Sequence, residues 1–291
     1  MIEQKYKDAV NYIIGTGKLH ENRTGINTLS VFGHIMRIDL ENEFPILTTK
    51  KLDIQSISSE LLWFLEGSTD ERRLAELRYE KPRYLLKDHK TIWTANANSQ
   101  GVELGYQNDD EAKELGPVYG KQWRDFGGVD QIKSVIDQIK NDSNSRRIIM
   151  SAWNPVDIPD MALPPCHIMI HFRVDGDKLS GLMYQRSCDV GLGMPYNIAS
   201  YALLIELVAR ECGLKAGELV YTIGDMHIYE NHIPQLLEQI SREPYSLPKL
   251  NIDENFSLMA GLNNGFNLDS ASLITLKDYK YHSAIKMQIA V

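Results

Sequence analysis

The chain has 291 residues, 43% of them apolar and 24% charged, enough for a substantial core in one large or two modest domains. A formal net charge of −8 gives no broad attraction to nucleic acid or an anionic membrane, so an anionic ligand would need a local cluster of arginines. The three cysteines are irregularly spaced and argue against a disulfide framework or a zinc ribbon. No apolar run approaches roughly 18 residues and the N-terminus lacks a signal-peptide core, so a cytoplasmic protein is expected.

In chain order, Tyr6, Val10, Ile13 and Ile14 share one face of a helix over residues 3–14, ended by Gly15 and Gly17. Residues 21–25 form a turn around a lone Arg23. Residues 28–40 alternate as a strand, and 44–51 run extended into a loop. Ile54, Ile57, Leu61, Leu62 and Leu65 mark a helix closed by Gly67, which sets Glu60 beside Leu61, Leu62, Trp63 and Phe64. Ser68 to Glu71 reads as a capping box for a second helix. Residues 77–90 are charged, contain Pro82 and read as a surface insertion; 91–94 are strand-like and 96–114 a polar loop. Residues 115–124 (LGPVYGKQWR) differ, because two glycines, a proline and two aromatics in so short a run demand a fixed backbone path.

Val129, Ile132, Val135, Ile136 and Ile139 define an amphipathic helix, followed by Arg146, Arg147 and a strand over 148–153. Strands 167–174 and 179–187 pair as a hairpin. Residues 198–212 form an apolar helix stopped by Gly213, 219–223 a strand, 224–229 a turn, and a further helix runs to about residue 241. Beyond Pro244 only a short strand at 273–276 and an extended tail stand out. With no repeat or linker, a single α+β domain spanning 1–291 is expected.

Residues 161–201 concentrate the chemistry. A cysteine is commonly a small buried hydrophobe, but Cys166 follows Pro164 and Pro165, which fix the backbone, and precedes His167. A nucleophilic thiol needs a cation to lower its pKa from about 8.5. Arg186 can supply one, since hairpin pairing brings the two strand ends together. Cys188 and Cys212 have no comparable surroundings and read as structural. Arg23, Arg146, Arg147 and Arg186 sit in turns or at strand ends. An Arg-Arg pair alone is as readily a solvated surface, yet several guanidinium forks together match a phosphomonoester.

Asn197 reads either as the N-cap of its helix or as a carboxamide that pairs with the O4 and N3–H edge of uracil; a cytosine edge would favour a carboxylate. His227 and Tyr229 can reach a sugar hydroxyl. Glu60 is either half of a satisfied buried pair or a desolvated carboxyl with a raised pKa, as proton transfer requires. Neither His227 with His232 nor Cys166 with His167 and His171 has metal-ligand spacing, so no metal is expected.

Across almost its whole length the chain resembles the thymidylate synthase family. The resemblance rests on RTG at 23–25, LTTKK at 47–51, ELLWFL at 60–65, GPVYGKQWR at 116–124 and RRIIM at 146–150. It continues through ALPPCH at 162–167, QRSCDVGLG at 185–193, NIASYA at 197–202, DMHIY at 225–229 and the Ala-Val tail. It implies a mixed sheet packed by helices, with one sheet face used in a homodimer. The implied reaction converts dUMP to dTMP, with 5,10-methylenetetrahydrofolate as one-carbon donor and reductant. By this resemblance Cys166 adds to C6 of uracil, while Glu60, with ordered water, and Tyr119 manage protons at O4 and C5. Arg23, Arg186 and Ser187 would hold the phosphate, joined by Arg146 and Arg147 from the partner subunit. Gln185 would be a further substrate-binding residue, Asn197 would read uracil, and His227 and Tyr229 would hold the 3′-hydroxyl. Asp189 would bond the pterin, Lys50 would lie near the folate tail, Trp93 would wall the methylene site, and the Val291 carboxylate would help close the lid.

The chain departs from the family at Thr94, where Asp is usual, in a longer 77–90 segment, and over 251–272. Relatives that make hydroxymethyl-pyrimidine nucleotides let water capture the methylene, so a dUMP hydroxymethylase is the alternative. Asn197 argues against dCMP, while Trp93 and the tail favour the methyl product. A nucleic-acid-binding reuse of the fold is disfavoured by the acidic balance.

Overall fold

The computed structural model describes residues 1–22 and 24–288. Arg23 and Val291, to which the resemblance gives roles, lie outside the described residues. Alternating apolar residues build a six-stranded mixed sheet from β1 (Lys18–His20), β2 (Thr28–Asp39), β3 (Ile149–Ser151), β4 (His167–Asp175), β5 (Lys178–Asp189) and β6 (Lys215–Tyr229). The strand order is β1-β2-β6-β5-β4-β3, and every pairing is antiparallel except β5 with β6.

One face of the sheet turns Met36, Ile38, Ile170, Phe172, Met183, Leu219 and Tyr221 into the core. Helices α1 (Ile2–Thr16), α5 (Tyr119–Arg124), α6 (Gln131–Asn141) and α7 (Gly193–Glu211) pack on it, while α2 (Ile54–Glu66) packs on α5 and α7, α3 (Glu71–Tyr79) packs on α2, and the short α4 (Thr94–Asn96) follows in the chain. The parallel β5–β6 pair requires a crossover, and α7 supplies it. Because α7 lies between the sheet and α2, it is apolar nearly all round, with Ile198, Ala202, Leu203, Ile205 and Val208 buried. The chain finishes with α8 (Ile233–Ser241), a separate ribbon of β7 (Lys249–Ile252) and β8 (Ile274–Lys277), and α9 (Leu258–Asn264). The opposite sheet face is uncovered, leaving Phe32 86% and Ile35 64% exposed beside Leu182.

Several local expectations change. Residues 224–229 are the end of β6, paired with β2 as far as Thr28↔Tyr229. Gly224 marks a close approach here, since a Cβ on it would lie 2.9 Å from Arg186 O and from Tyr184 Oη. Residues 91–94 turn into α4 because the Thr94 hydroxyl accepts from Thr91 N at 2.8 Å, a local bond that outcompetes strand pairing. The 96–114 stretch is partly ordered as a π-turn over 97–101.

The cap of α3 is Asp70, which accepts from Arg72 N at 3.0 Å, so Ser68 and Glu71 form no capping box. Val129 is exposed and precedes α6, which Asp130 caps. Asn197 lies one turn inside α7, which removes its reading as an N-cap. The 77–90 segment is not simply a surface insertion. Leu77 and Leu86 are buried, and the carbonyls of Leu86 and His89 accept from the buried Arg72 side chain.

Candidate active site

The β4–β5 hairpin brings the Cys166 segment against Arg186, as the sequence suggests. Arg186 N donates to Cys166 O at 2.9 Å. Its guanidinium grips the preceding prolines, with Nε to Pro165 O at 2.8 Å and Nη2 to Pro164 O at 3.1 Å, and lies over the Trp153 ring. Tyr119 holds the other side. Its Oη accepts from Cys166 N at 2.7 Å and from His167 N at 3.2 Å. That position depends on glycine: a Cβ on Gly120 would meet Ser68 O at 2.4 Å, so α5 presses directly on the α2–α3 corner. Burial drives the Tyr119 phenol well above its ordinary pKa, and the nearby Cys166 adds to the rise. With both lone pairs engaged, the phenol offers its O–H to a ligand.

Glu60 lies across an aromatic wall of Trp63, Phe64, Trp93 and Tyr119, in which the Phe64 and Tyr119 ring centroids are 4.7 Å apart. Burial raises its carboxyl to about 7, against a smaller lowering by Trp93, whose Nε1 donates to Glu60 Oε1 at 2.7 Å. Among the described residues the carboxyl has no salt-bridge partner, so the buried pair it forms is the neutral hydrogen bond from Trp93.

Asn197 projects from α7 towards the hairpin. Its Oδ1 accepts from Gln185 Nε2 at 3.2 Å, and Gln185 also donates to Ser187 O at 2.7 Å and accepts from Tyr221 Oη. Gln185 is only 2% exposed, which puts it behind Asn197 as its support. His167, which the sequence offered as the neighbour of Cys166 and not as a metal ligand, is buried in contact with Asn197 and Tyr201. Burial lowers it to about 4, so the ring is neutral at physiological pH.

Along β6, His227 Nδ1 bonds Asp225 Oδ1 at 2.7 Å, and the His227 and Tyr229 rings meet edge-on. Burial alone would raise the Asp225 carboxyl, but bonds from His227 and Ser30 hold it below its ordinary value. Asp225 was hidden because 224–229 reads as a turn; its i, i+2 spacing to His227 on a strand is the signal that finds it. At the end of β5, Asp189 Oδ1 accepts from Gly191 N at 2.8 Å and Leu192 N at 3.3 Å, fixing the loop into α7. Lys50 is buried against that loop and donates to Gly191 O at 2.6 Å; burial lowers its ammonium to about 8, opposed by Asp189.

Arg146 and Arg147 are not brought to this cluster within the chain. They are exposed and precede β3, where Ile149 pairs with His171, so Arg147 is level with residue 173. Strand rise then puts it about 20 Å from Cys166. Among the described residues no group of three or more His, Cys, Asp or Glu could hold a metal ion, and no helix is long and apolar enough to cross a membrane. Cys188 and Cys212 are pushed up by burial, Cys212 to about 11, in keeping with structural roles.

Such an arrangement can add a thiolate to an electron-poor ring carbon while neighbouring groups move protons. Fold and site together define an α+β protein with a backbone-braced cysteine set near a buried carboxyl. The family model described as thymidylate synthase matches residues 4–291, and the chain belongs to that family. It is 45% identical over 296 residues to the thymidylate synthase of Mycoplasma genitalium, covering 99% of this chain and 100% of that one. Identity to the Mycoplasma pneumoniae thymidylate synthase is 42% over 294 residues, with the same coverage. A bifunctional dihydrofolate reductase-thymidylate synthase of Paramecium tetraurelia is 44% identical over 303 residues, covering 99% of this chain, which spans 61% of that protein's length.

Proposed function

We propose that the chain catalyses the reductive methylation of dUMP to dTMP, with 5,10-methylenetetrahydrofolate consumed and dihydrofolate released. The observation that carries this reading is the bracing of the Cys166 backbone from both sides, by Tyr119 and by the β5 strand that bears Arg186. A thiolate at Cys166, favoured by the Arg186 guanidinium, forms a bond to C6 of uracil and pushes the ring electrons towards C5 and O4. Asn197, aimed by Gln185, pairs with the uracil edge. Glu60, poised near neutrality, passes a proton through water to O4, and the Tyr119 O–H orients the water that takes the C5 proton. His227, held by Asp225, and Tyr229 take the 3′-hydroxyl; Arg23, Arg186 and Ser187 take the phosphate.

The folate supplies both the one-carbon unit and the hydride. Asp189, fixed by two backbone amides, and Trp93 in the wall beside Glu60 offer a carboxylate and an apolar face suited to a pterin. Lys50 acts from behind the Asp189 loop. Exclusion of water there separates a methyl from a hydroxymethyl product. The relatives named for the methyl reaction favour the first.

The uncovered sheet face with Phe32, Ile35 and Leu182 buries itself in a homodimer, and Arg146 and Arg147 reach the partner's phosphate site. A reducing cytoplasm keeps the thiol competent. The test is incubation with 5-fluoro-dUMP and the reduced folate, followed by peptide mass analysis. A ternary adduct on Cys166 is expected, with dihydrofolate absorbance rising during turnover of dUMP. No adduct in folded protein overturns the thiol mechanism, and product formed without dihydrofolate overturns the methyl reading.

A further inference from the structure

Behind the Trp93 wall lies a charged pair that the proposed chemistry does not touch. Glu71 and Arg72 open α3 and are 0% and 1% exposed. A pair so deeply buried persists only when its remaining lone pairs and N–H groups are satisfied. Arg72 Nε donates to Glu71 Oε2 at 2.8 Å, Nη1 to Leu86 O at 2.8 Å and Nη2 to His89 O at 3.0 Å. The other carboxylate oxygen, Glu71 Oε1, accepts from the hydroxyls of Thr91 at 2.7 Å and Thr94 at 2.6 Å.

Those two hydroxyls are also the hinges of the turn that carries Trp93. Thr94 Oγ1 accepts from Thr91 N, and Thr91 Oγ1 accepts from Trp93 N at 3.2 Å. The Trp93 indole then reaches Glu60 Oε1 at 2.7 Å. A continuous line of hydrogen bonds runs from α3 to the carboxyl of the active site. Thr94, where the family resemblance expects Asp, is one of its links.

We propose that Glu71 is a positioning residue of the active site, which through Thr91 and Thr94 fixes the turn that aims the Trp93 indole N–H at the Glu60 carboxylate. This rests on the reading of Glu60 as the proton-managing group. When the turn is loosened, the Glu60 carboxylate loses a donor that favours its charged form, so its titration moves to higher pH. The residues that hold dUMP are untouched, so kcat changes while KM for dUMP does not.

The experiment is the pH dependence of kcat in the Thr91→Val/Thr94→Val double variant, with Thr91→Ser/Thr94→Ser as the conservative rescue. Loss of a hydrogen bond to a charged group predicts an upward shift of the Glu60 inflection by roughly one unit. KM for dUMP should stay within about twofold, and the serine variant should restore the wild-type inflection. Should the double variant not fold, Thr94→Val, which keeps one link, decides by the same shift at smaller amplitude. A folded variant with an unmoved inflection and only a lower melting temperature overturns the proposal. Glu60→Gln is the control: an inflection that survives it sinks the proton role of Glu60. An inflection that vanishes there but is unmoved in the valine variants sinks the role of Glu71 alone.

Discussion

Glu60 is a carboxyl in surroundings that disfavour its charge. The folded protein retains the Glu60 proton up to about pH 7, whereas the unfolded chain releases it near the ordinary 4.5. Between those values the folded state binds more protons, so stability falls as pH rises through the window. Glu60→Gln removes that penalty. Urea unfolding should find the variant more stable than wild type at pH 8, by at most about 3 kcal/mol, and equal to it at pH 4. The same variant should lose turnover, because a carboxamide donates no proton. His167 has the opposite sign, since it stays neutral in the fold down to about pH 4 against 6.5 when unfolded. Its contribution is lost on acidification through that range, and His167→Gln should flatten the acid limb of the unfolding curve.

Among the elements, α5 has the least room to move. In Gly120→Ala the new methyl would sit against a backbone carbonyl, which cannot rotate away. We expect a loss of about 1–3 kcal/mol in urea melts, together with slower adduct formation at Cys166, because Tyr119 moves with the helix. This corner was legible in the sequence, where two glycines, a proline and two aromatics in ten residues demand one backbone path. The hairpin joining Cys166 to Arg186 was also legible, through alternation and a short turn, as were α2, α6 and α7 through their apolar spacing. What stayed hidden depended on tertiary context. Gly224 reads as a breaker until β5 is seen pressed against it, and Asp225 and His227 then emerge on one strand. The Thr91 to Thr94 stretch has the β-branched composition of a strand, yet its hydroxyls fold it back upon itself. The Glu71–Arg72 pair looks like any charged helix start, because nothing local tells that residues 86–89 will cover it.

On the scale of the whole molecule, the open sheet face is the feature a single chain leaves unresolved. Ile35→Glu places a charge in the proposed contact, and if that contact forms it should shift the chain from dimer to monomer in sedimentation, with loss of turnover. Mixing Cys166→Ala chains with Arg146→Glu/Arg147→Glu chains should regain part of the activity, since one site in each hybrid then has an intact thiol and intact arginines. Separate inactive parents and an inactive mixture would mean that the arginines serve no partner.

The pairing of β2 with β6 joins Thr28 to Tyr229 and so spans most of the polypeptide. Loop closure over such a distance gains nothing until both ends have met, which makes it a late event in folding. The helices and the β4–β5 hairpin are local and can form early, whereas His227, Tyr229 and the backbone around Asp189 acquire their places only with β6. During refolding from urea, far-ultraviolet circular dichroism should therefore recover before nucleotide binding does, and a newly synthesised chain would remain catalytically silent until its last third had emerged.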